Sequence, residues 1–509
     1  MRADQWRLFL KRYWWLIGIG ILIATSIVID PFLRLEYYPE EELEIPWKWF
    51  WYLPFTITSA IILLPFLSGW LYLKIKSLSR PQQDQILIIA LISTLFINYQ
   101  GILRLHFTFT IVSTGFIILL IRGALAGRYD LVKYPIHGYY LVLILLMMIS
   151  TYAPLGSAPV VMNQTLEYVS GQYLPILLIP LIVRSRRQLL KCIQYMFFFS
   201  LFSSVIGIGQ FLVYELFHID ITGQWNTDLQ QGRFATLPVL GTIIRVGALT
   251  GNADYLAYEV GVITVMMAFF LVNPAWFSRK WRKIFLIGVV MGLACCFLTT
   301  SRATWLSLAI CFLIMPFILY PRYAGRFILT LLLLGAVVYM SGLYDYLYEM
   351  AYEMRTAAVD YRARYFLLGI ATIRENPWIG VGFGAFRGYW NVHDDDVHVL
   401  WMNMAVQIGV FGGLVLFAYY VSLSVRLIRA VYFASPFNKV ILKSFVFALI
   451  FFFVNSLLNP LIWDKFFWIF FAFVEVAIYT LGRIGERTRV YYPVFGYSWK
   501  DEPRIQLSQ

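Results

Sequence analysis

Apolar residues in this chain are gathered into long runs that are separated by short polar segments. An α-helix needs about 17–25 such residues to cross a bilayer. Fourteen runs approach that length, near positions 14–30, 52–73, 84–99, 105–121, 138–153, 170–183, 193–216, 253–272, 284–300, 303–320, 327–343, 398–425, 440–459 and 461–482. Because the third and fifth runs are short, the pattern predicts an all-α, polytopic membrane helical bundle of 12–14 spans.

The composition excludes the soluble alternatives. Hydrophobic residues make up 60% of the 509 residues, charged residues make up 14%, and the mean hydropathy is +0.70. A soluble domain has about 45–50% apolar and about 25% charged residues, so it could not bury this much apolar surface. The four cysteines show neither a metal-ligand spacing nor a disulfide framework, and we expect buried free thiols at Cys192, Cys295, Cys296 and Cys311.

The distribution of basic residues predicts the orientation in the membrane. If the N-terminus is cytoplasmic, the cytoplasmic segments hold 29 of the 41 Lys and Arg residues, and the outer segments hold 12. This excess satisfies the positive-inside rule, so both termini are predicted to lie in the cytoplasm. The cytoplasmic basic residues then face anionic membrane lipids. The net charge of +13 therefore does not indicate nucleic acid as a partner.

One outer loop is far longer than the other connections. We expect a single membrane domain over 1–509, a long extracytoplasmic loop over 343–397 and a short cytoplasmic tail over 483–509. Loops of this length in compact proteins are usually functional. Within the loop, 345–372 predicts an amphipathic helix whose apolar face comprises Leu347, Ala351, Met354, Ala358, Tyr361, Tyr365 and Leu368. Its charged residues, Arg362 among them, are placed on the other faces, and the helix is expected to end at Pro377.

The sequence GVGFGAF follows at 380–386 and contains three glycines within five residues. Glycine permits tight turns and close backbone approach, so the amides here could face a phosphate or a sugar. Glycine turns are also common in loops without such a role, and both interpretations stay open.

Two arginines stand at the outer ends of spans. Arg245 closes the outer segment 217–252, and Arg302 lies in the tight outer turn SRATW. A cation at the end of a span is costly unless it has a partner, which makes each a candidate functional residue. All five cations of 343–397 are also arginines, whose guanidinium suits bidentate phosphate binding, although most of them can pair with acidic residues of the loop.

One histidine is placed where it could act as a base. His398 lies where the long loop re-enters the membrane and opens the run VLWMNMAVQIGVFGG. Histidine titrates near neutrality, so this side chain could take a proton from a hydroxyl at the outer surface, or it could be a structural residue. His393 with Asp394, Asp395 and Asp396 is a further candidate, for a divalent cation, but no known ligand spacing supports it.

These segments together resemble the superfamily of O-antigen ligases and O-antigen polymerases, which are bacterial membrane glycosyltransferases. The matching order runs from Arg245 before TGNADYLA, through SRATWL, to RARYFLLGIATIRENPWIGVGFGAF and a histidine that opens a span. The resemblance covers roughly 240–425.

Two spaced signatures of that family also occur in the chain. An arginine is followed by leucine four positions later, as Arg364 and Leu368, and a histidine by glycine eleven positions later, as His398 and Gly409. Two positions depart from the family pattern: Val399 replaces an asparagine after the histidine, and Gln407 replaces an acidic residue before the glycine.

The resemblance implies a donor glycan linked through diphosphate to a polyprenol, and an acceptor hydroxyl on a glycan or lipid. It implies His398 as the general base and Arg245, Arg302 and Arg364 as the diphosphate-binding residues. A single in-line displacement would invert the anomeric configuration, and arginines on the leaving diphosphate would make Mg²⁺ dispensable, so no cofactor is expected. The expected location is the bacterial cytoplasmic (inner) membrane.

The competing hypothesis is a flippase that transports lipid-linked oligosaccharides. Such transporters are typically built from two related halves with ionisable groups facing a central cavity. The chain has no visible internal repeat, but Glu259 and Glu475 lie within apolar runs, where a carboxylate suggests either transport or a structural hydrogen bond. Ligase and polymerase share the motifs above, so the sequence does not separate these two activities.

Overall fold

A computed structural model provides the three-dimensional description of the chain. The structure describes positions 85, 89, 92, 134–152, 165, 176, 179–180, 183–218, 234–237, 241–248, 250, 252–342, 356–390, 397–461 and 465–482. All of these positions belong to one compact unit of the chain.

The described residues form a helical bundle with one small hairpin. The helices are α1 (Pro135–Ser150), α2 (Arg186–Phe217), α3 (Ala253–Leu271), α4 (Arg279–Leu298), α5 (Arg302–Leu319), α6 (Ala324–Met340), α7 (Thr356–Glu375), α8 (Phe386–Trp390), α9 (Leu400–Ile408), α10 (Val410–Phe433), α11 (Pro436–Ser456) and α12 (Lys465–Leu481). Short 3₁₀ helices, Pro274–Trp276 and Pro321–Tyr323, lie in two of the connections.

Six of these helices are long and apolar enough to cross a membrane, namely α2, α3, α4, α5, α10 and α11. Each overlaps a predicted run, and the shorter helices α1, α6 and α12 overlap three more. The prediction of a polytopic helical membrane protein is thereby confirmed. The runs at 14–30, 52–73 and 105–121, and most of those at 84–99 and 170–183, lie outside the described residues, as does the tail 483–509.

Helix α3 forms the centre of the bundle. Every residue from Leu256 to Phe270 is buried, and the helix packs against α2, α4, α5 and α11. A helix that is apolar on all sides is expected in such a position. Its start is fixed by Asn252, whose side-chain oxygen accepts hydrogen bonds from the amides of Asp254 and Tyr255. Residues in the first turn of α3 are therefore held by a rigid core.

A two-stranded antiparallel hairpin interrupts the helical architecture within the segment 217–252. Strand β1 (Phe234–Leu237) pairs with β2 (Gly241–Ile244), with Phe234 opposite Ile244. The sequence pattern did not predict it. Because β2 ends directly before Arg245, the hairpin determines where that arginine enters the bundle.

The predicted span 398–425 is wrong as a single helix. The chain forms two helices, α9 and α10, on either side of Gly409, whose φ of 83° lies in the left-handed region. The two helices pack against each other, and an added Cβ at Gly413 of α10 would contact Ala405 of α9. The apolar run continued through Gly409 because α9 is buried in protein, so periodicity gave no sign of the break.

The amphipathic loop helix is present as α7, which ends two residues before Pro377 as expected. Of the predicted apolar face, Tyr365 is buried and Leu368 is half-buried, in a cluster with Val381, Phe386 and Val397. The residues 343–355 lie outside the described part of the chain, so the predicted start of this helix is not described.

Two further sequence expectations concern buried groups. The four cysteines are free and buried, as predicted. Glu475 of α12 is fully buried and forms an ion pair with Arg426 of α10, in which the second guanidinium nitrogen lies 2.6 Å from Oε1. The Tyr419 hydroxyl also donates to this carboxylate. These contacts fit the interpretation of Glu475 as a residue that forms structural hydrogen bonds, and not a transport role.

Candidate functional site

Arg245 joins three parts of the chain at one end of the bundle. Its Nε donates to the carbonyl oxygen of Thr299 at 3.0 Å, just after α4. One terminal nitrogen pairs with Oδ1 of Asp254, in the first turn of α3, at 3.1 Å. We call the residues 244–248, 250, 252–254 and 298–302 the arginine junction. The sequence correctly marked Arg245 as a cation that requires a partner, but it did not identify Asp254.

The backbone of the arginine junction is strained at two positions. Ala248 has a φ of 44° and Thr300 a φ of 53°, although neither residue is a glycine. Such a conformation costs roughly 1–3 kcal/mol and persists only where the surroundings enforce it. At Ala248 the enforcing group is Gln210 of α2, whose side chain accepts from the Ala248 amide at 2.8 Å and donates to its carbonyl at 3.3 Å.

Arg302 is the first residue of α5 and its side chain is exposed. It follows Ser301, whose buried hydroxyl lies beside the carboxylate of Asp254. The turn between α4 and α5 therefore brings Arg302 to the same junction as Arg245.

Helix α7 adds a charged group to this junction. Arg362 is close enough for its positive charge to act on Asp254. Arg362 is exposed, as predicted from its place outside the apolar face, and it lies one turn before Tyr365, about 60° from it around the helix. Arg364, which the family signature selects, is exposed on the same helix, about 160° from Arg362.

His398 contacts α7 at Tyr365, which lies one helical turn after Arg362. Its ring and that of Tyr365 have centroids 6.4 Å apart, and its side chain is half-buried. Arg362 and Tyr365 are separated by about 4.5 Å along the helix axis. One turn of α7 therefore connects the predicted base with the arginine junction.

A buried amide network positions the residues around His398. The backbone N–H of Val397 donates to Oδ1 of Asn403 at 3.2 Å, and Gln407 donates to the same oxygen at 3.0 Å. Both amide side chains are fully buried. Gln407, which departs from the family pattern, thus has a structural contact, and the network fixes the backbone immediately before the histidine.

The glycine-rich segment does not offer its amides to a ligand. We call residues 377–384 the glycine loop. The amides of Gly380, Val381 and Gly382 donate to carbonyl oxygens of residues 376, 406 and 407, and that of Ala385, just beyond the loop, donates to residue 382. Those of Phe383 and Gly384 donate to the side chains of residues 150 and 407. The interpretation of these amides as a phosphate or sugar cradle is therefore wrong.

Glycine is required in this loop by close packing. Gly380, Gly382 and Gly384 have φ values of 65°, 106° and 75°. A Cβ at Gly380 would overlap the backbone of Gln407, and a Cβ at Gly409 would overlap the carbonyl of Trp378. The histidine–glycine signature therefore has a structural reason, since its glycine lets the loop pack beneath the end of α9.

The short helix α8 is attached to the end of α7. The Tyr389 hydroxyl donates to the carboxylate of Glu375, and Trp390 Nε1 donates to Thr372 Oγ1 at 2.7 Å. The hydrogen bond to Glu375 raises the pKa of Tyr389, because it stabilises the protonated phenol beside a carboxylate. These contacts hold the chain that leads from the glycine loop towards 391–396.

These contacts do not bear on the proposed divalent-cation site at His393 and the three aspartates that follow it. Among the described residues no group of three or more His, Cys, Asp or Glu could hold a metal ion. His393 and Asp394–Asp396 lie outside the described residues.

Comparison with known proteins supports the resemblance. Residues 287–417 match the model of a family described as O-Antigen ligase. This match covers about a quarter of the chain and includes Arg302, Arg364, His398 and Gly409, whereas Arg245 and Asp254 precede it. No curated protein matches the chain. The match confirms the resemblance to O-antigen ligases and supports a multi-pass membrane protein with a glycosyltransferase-type activity on envelope glycans.

Proposed function

We propose that this protein transfers a glycan from a polyprenyl diphosphate carrier to an acceptor hydroxyl, with inversion, at the outer face of the bacterial cytoplasmic membrane. The observation that carries the proposal is the turn of α7 between Arg362 and Tyr365. At one end of this turn a positive charge acts on the Arg245–Asp254 pair, and at the other end Tyr365 contacts His398. A base and a group of guanidinium ions thus border one stretch of helix.

In this reaction His398 removes the proton of the acceptor hydroxyl. The acceptor oxygen then bonds to the anomeric carbon of the donor glycan, while the bond between that carbon and the diphosphate oxygen breaks. The products are the extended glycan, polyprenyl diphosphate and the proton on the imidazole, which returns to solvent. Arg245 and Arg302 of the arginine junction bind the diphosphate and stabilise the charge that develops as it leaves. Arg364 is the third diphosphate-binding residue of the proposal, although it lies about 160° around α7 from Arg362.

The predicted orientation of the chain in the membrane supports a lipid-linked donor. Placing the basic connections in the cytoplasm puts the arginine junction and α7 on the outer side. Sugar nucleotides are not expected there, so a donor delivered on a polyprenol suits the site. With guanidinium groups on the diphosphate, the transfer does not require a divalent cation.

The test is His398→Ala in purified protein reconstituted with a polyprenyl diphosphate-linked glycan and an acceptor. Loss of the base should abolish transfer while the protein remains folded in the membrane. His393→Ala, in the same loop, is the control and should retain transfer, as should the wild type in excess EDTA. Near-normal transfer by His398→Ala would remove the base assignment, and inhibition by EDTA together with loss in His393→Ala would favour the divalent-cation site.

The same reconstitution separates transfer from transport. A flippase would move the intact lipid-linked glycan without forming a glycosidic bond, so the product distinguishes the two hypotheses. In cells, a deletion strain that accumulates unpolymerised single units would indicate a polymerase. Long chains that remain on their lipid carrier would indicate a ligase.

A further inference from the structure

We propose that Asp254 is an internal counter-ion that competes with the diphosphate for Arg245 and thereby promotes release of the polyprenyl diphosphate product. This inference rests on the proposed function and adds to it a residue outside the matched family region. Asp254 acts through Arg245, so it is a positioning residue.

The contacts of Asp254 place it among the cationic residues of the arginine junction. Its Oδ1 lies 3.1 Å from a terminal nitrogen of Arg245, and the charge of Arg362 acts on the same carboxylate. The turn that carries Arg302 begins with Ser301 beside this carboxylate. One negative charge therefore faces several positive charges at the point where the diphosphate is proposed to bind.

The Arg245–Asp254 pair remains accessible to a ligand. The Asp254 side chain keeps 41% of its surface exposed, and that of Arg245 keeps 19%. A partly exposed ion pair contributes little to stability, so a diphosphate can replace the carboxylate at little cost. A fully buried pair would resist this exchange.

The two partners differ in how they can move. Asp254 is fixed because it lies in the first turn of the buried helix α3, where the side chain of Asn252 accepts from its amide. Arg245 is anchored through Nε to the carbonyl of Thr299. A guanidinium has five N–H donors, so its terminal nitrogens can exchange one acceptor for another while the Nε contact is kept.

The charge of the product explains why a counter-ion is useful. In the donor both phosphates are substituted, whereas in polyprenyl diphosphate the terminal phosphate gains an ionisable oxygen with a pKa of about 6. The product is therefore more negative than the donor and binds an arginine cluster more tightly. A carboxylate that returns to Arg245 opposes this binding, so the site does not remain occupied by its own product.

The experiment measures binding of farnesyl diphosphate, a short polyprenyl diphosphate, to the full chain in lipid nanodiscs. Asp254→Asn should bind this probe about fivefold to tenfold more tightly than the wild type, because the competing charge is lost. In the transfer assay the same variant should show a lower KM for the donor and a lower kcat, because product release becomes slower. Asp254→Glu should return the affinity towards that of the wild type.

A matched control is Glu215→Gln, which removes an exposed carboxylate near the end of α2 and should leave the affinity unchanged. A general disruption of the junction would weaken binding, so tighter binding is a result that a merely structural role does not produce. If Asp254→Asn is not obtained in folded form, Asp254→Ser removes the same charge with a shorter side chain.

The two proposals fail in different ways. Arg245→Gln and Arg302→Gln should weaken farnesyl diphosphate binding, and if neither does, the diphosphate site of the proposed function is wrong. If both weaken it but the neutral Asp254 variants bind no more tightly than the wild type, the diphosphate site stands and the counter-ion is rejected.

Discussion

The arginine junction and the glycine loop both contain backbone in the left-handed region, but they accommodate it differently. In the glycine loop the positive φ angles belong to Gly380, Gly382 and Gly384, and the amides from residue 380 to 384 donate within the protein. In the arginine junction they belong to Ala248 and Thr300, next to charged and partly exposed side chains.

This difference separates a packing element from a candidate binding element. Glycine adopts a positive φ without steric cost, and the glycine loop uses this freedom to pack against the end of α9. Alanine and threonine adopt it only when other contacts enforce it, and such strain clusters at functional sites. The residue type at each positive φ therefore favours the arginine junction as the candidate site, although the glycine-rich sequence is the more conspicuous motif.

The largest expected effect is that of Gly409→Ala. The new Cβ would overlap the carbonyl of Trp378, and the φ of 83° at residue 409 is unfavourable for alanine. We therefore expect the free energy of unfolding to fall by about 4–5 kcal/mol or more, with little folded protein in the membrane. Gly335→Ala in α6 is the control, because a Cβ there contacts nothing within 4 Å. Thermal stability in detergent checks both, and a Gly409→Ala protein as stable as the control would contradict the packing role of the loop.

An intermediate effect is expected for the arginines of α7. Arg364→Lys should reduce transfer about 10²-fold, because lysine keeps the charge but loses the bidentate geometry on the leaving diphosphate. Arg362→Lys should retain most of the activity, since a lysine still places a positive charge near Asp254. Transfer rates per folded protein measure both variants. If Arg362→Lys lost more transfer activity than Arg364→Lys, diphosphate binding would be assigned to Arg362 and not to Arg364.

The smallest effect concerns the strained backbone of the arginine junction. Thr300→Gly should relieve the positive φ and raise the stability by about 1 kcal/mol, whereas Gly382→Ala, at a φ of 106°, should lower it. The melting temperatures of the two variants should therefore shift in opposite directions. Equal destabilisation by both changes would show that Thr300 is not strained in the folded protein.

Sequence periodicity was sufficient for the helices that cross the bundle. The run 253–272 corresponds to α3 (Ala253–Leu271), and the cap residues Asn252 and Ser278 occur directly before α3 and α4. These elements depend on local preferences and on a hydrophobic run of the required length, both of which are visible in the sequence.

The sequence was less informative wherever a contact joins distant residues. The break at Gly409 depends on the approach of Trp378, and the amide of Phe383 is paired with Ser150, 233 residues earlier in the chain. Asp254 stood within the quoted segment TGNADYLA, yet an acidic residue in the first turn of a helix is common and was not recognised as the partner of Arg245. The site residues proposed from the sequence stay proposals, because no contact with a substrate tests them.

The ion pair between Arg426 and Glu475 has a consequence for how the protein is made. Because α12 follows α10 in the chain, Arg426 is synthesised before Glu475, the carboxylate with which it pairs in the folded protein. A chain that stops before α12 would leave Arg426 without this carboxylate, which is unfavourable for a partly buried cation. Helix α12 therefore supplies the carboxylate that Arg426 of α10 requires, and the order of the two helices in the chain fixes which partner is made first.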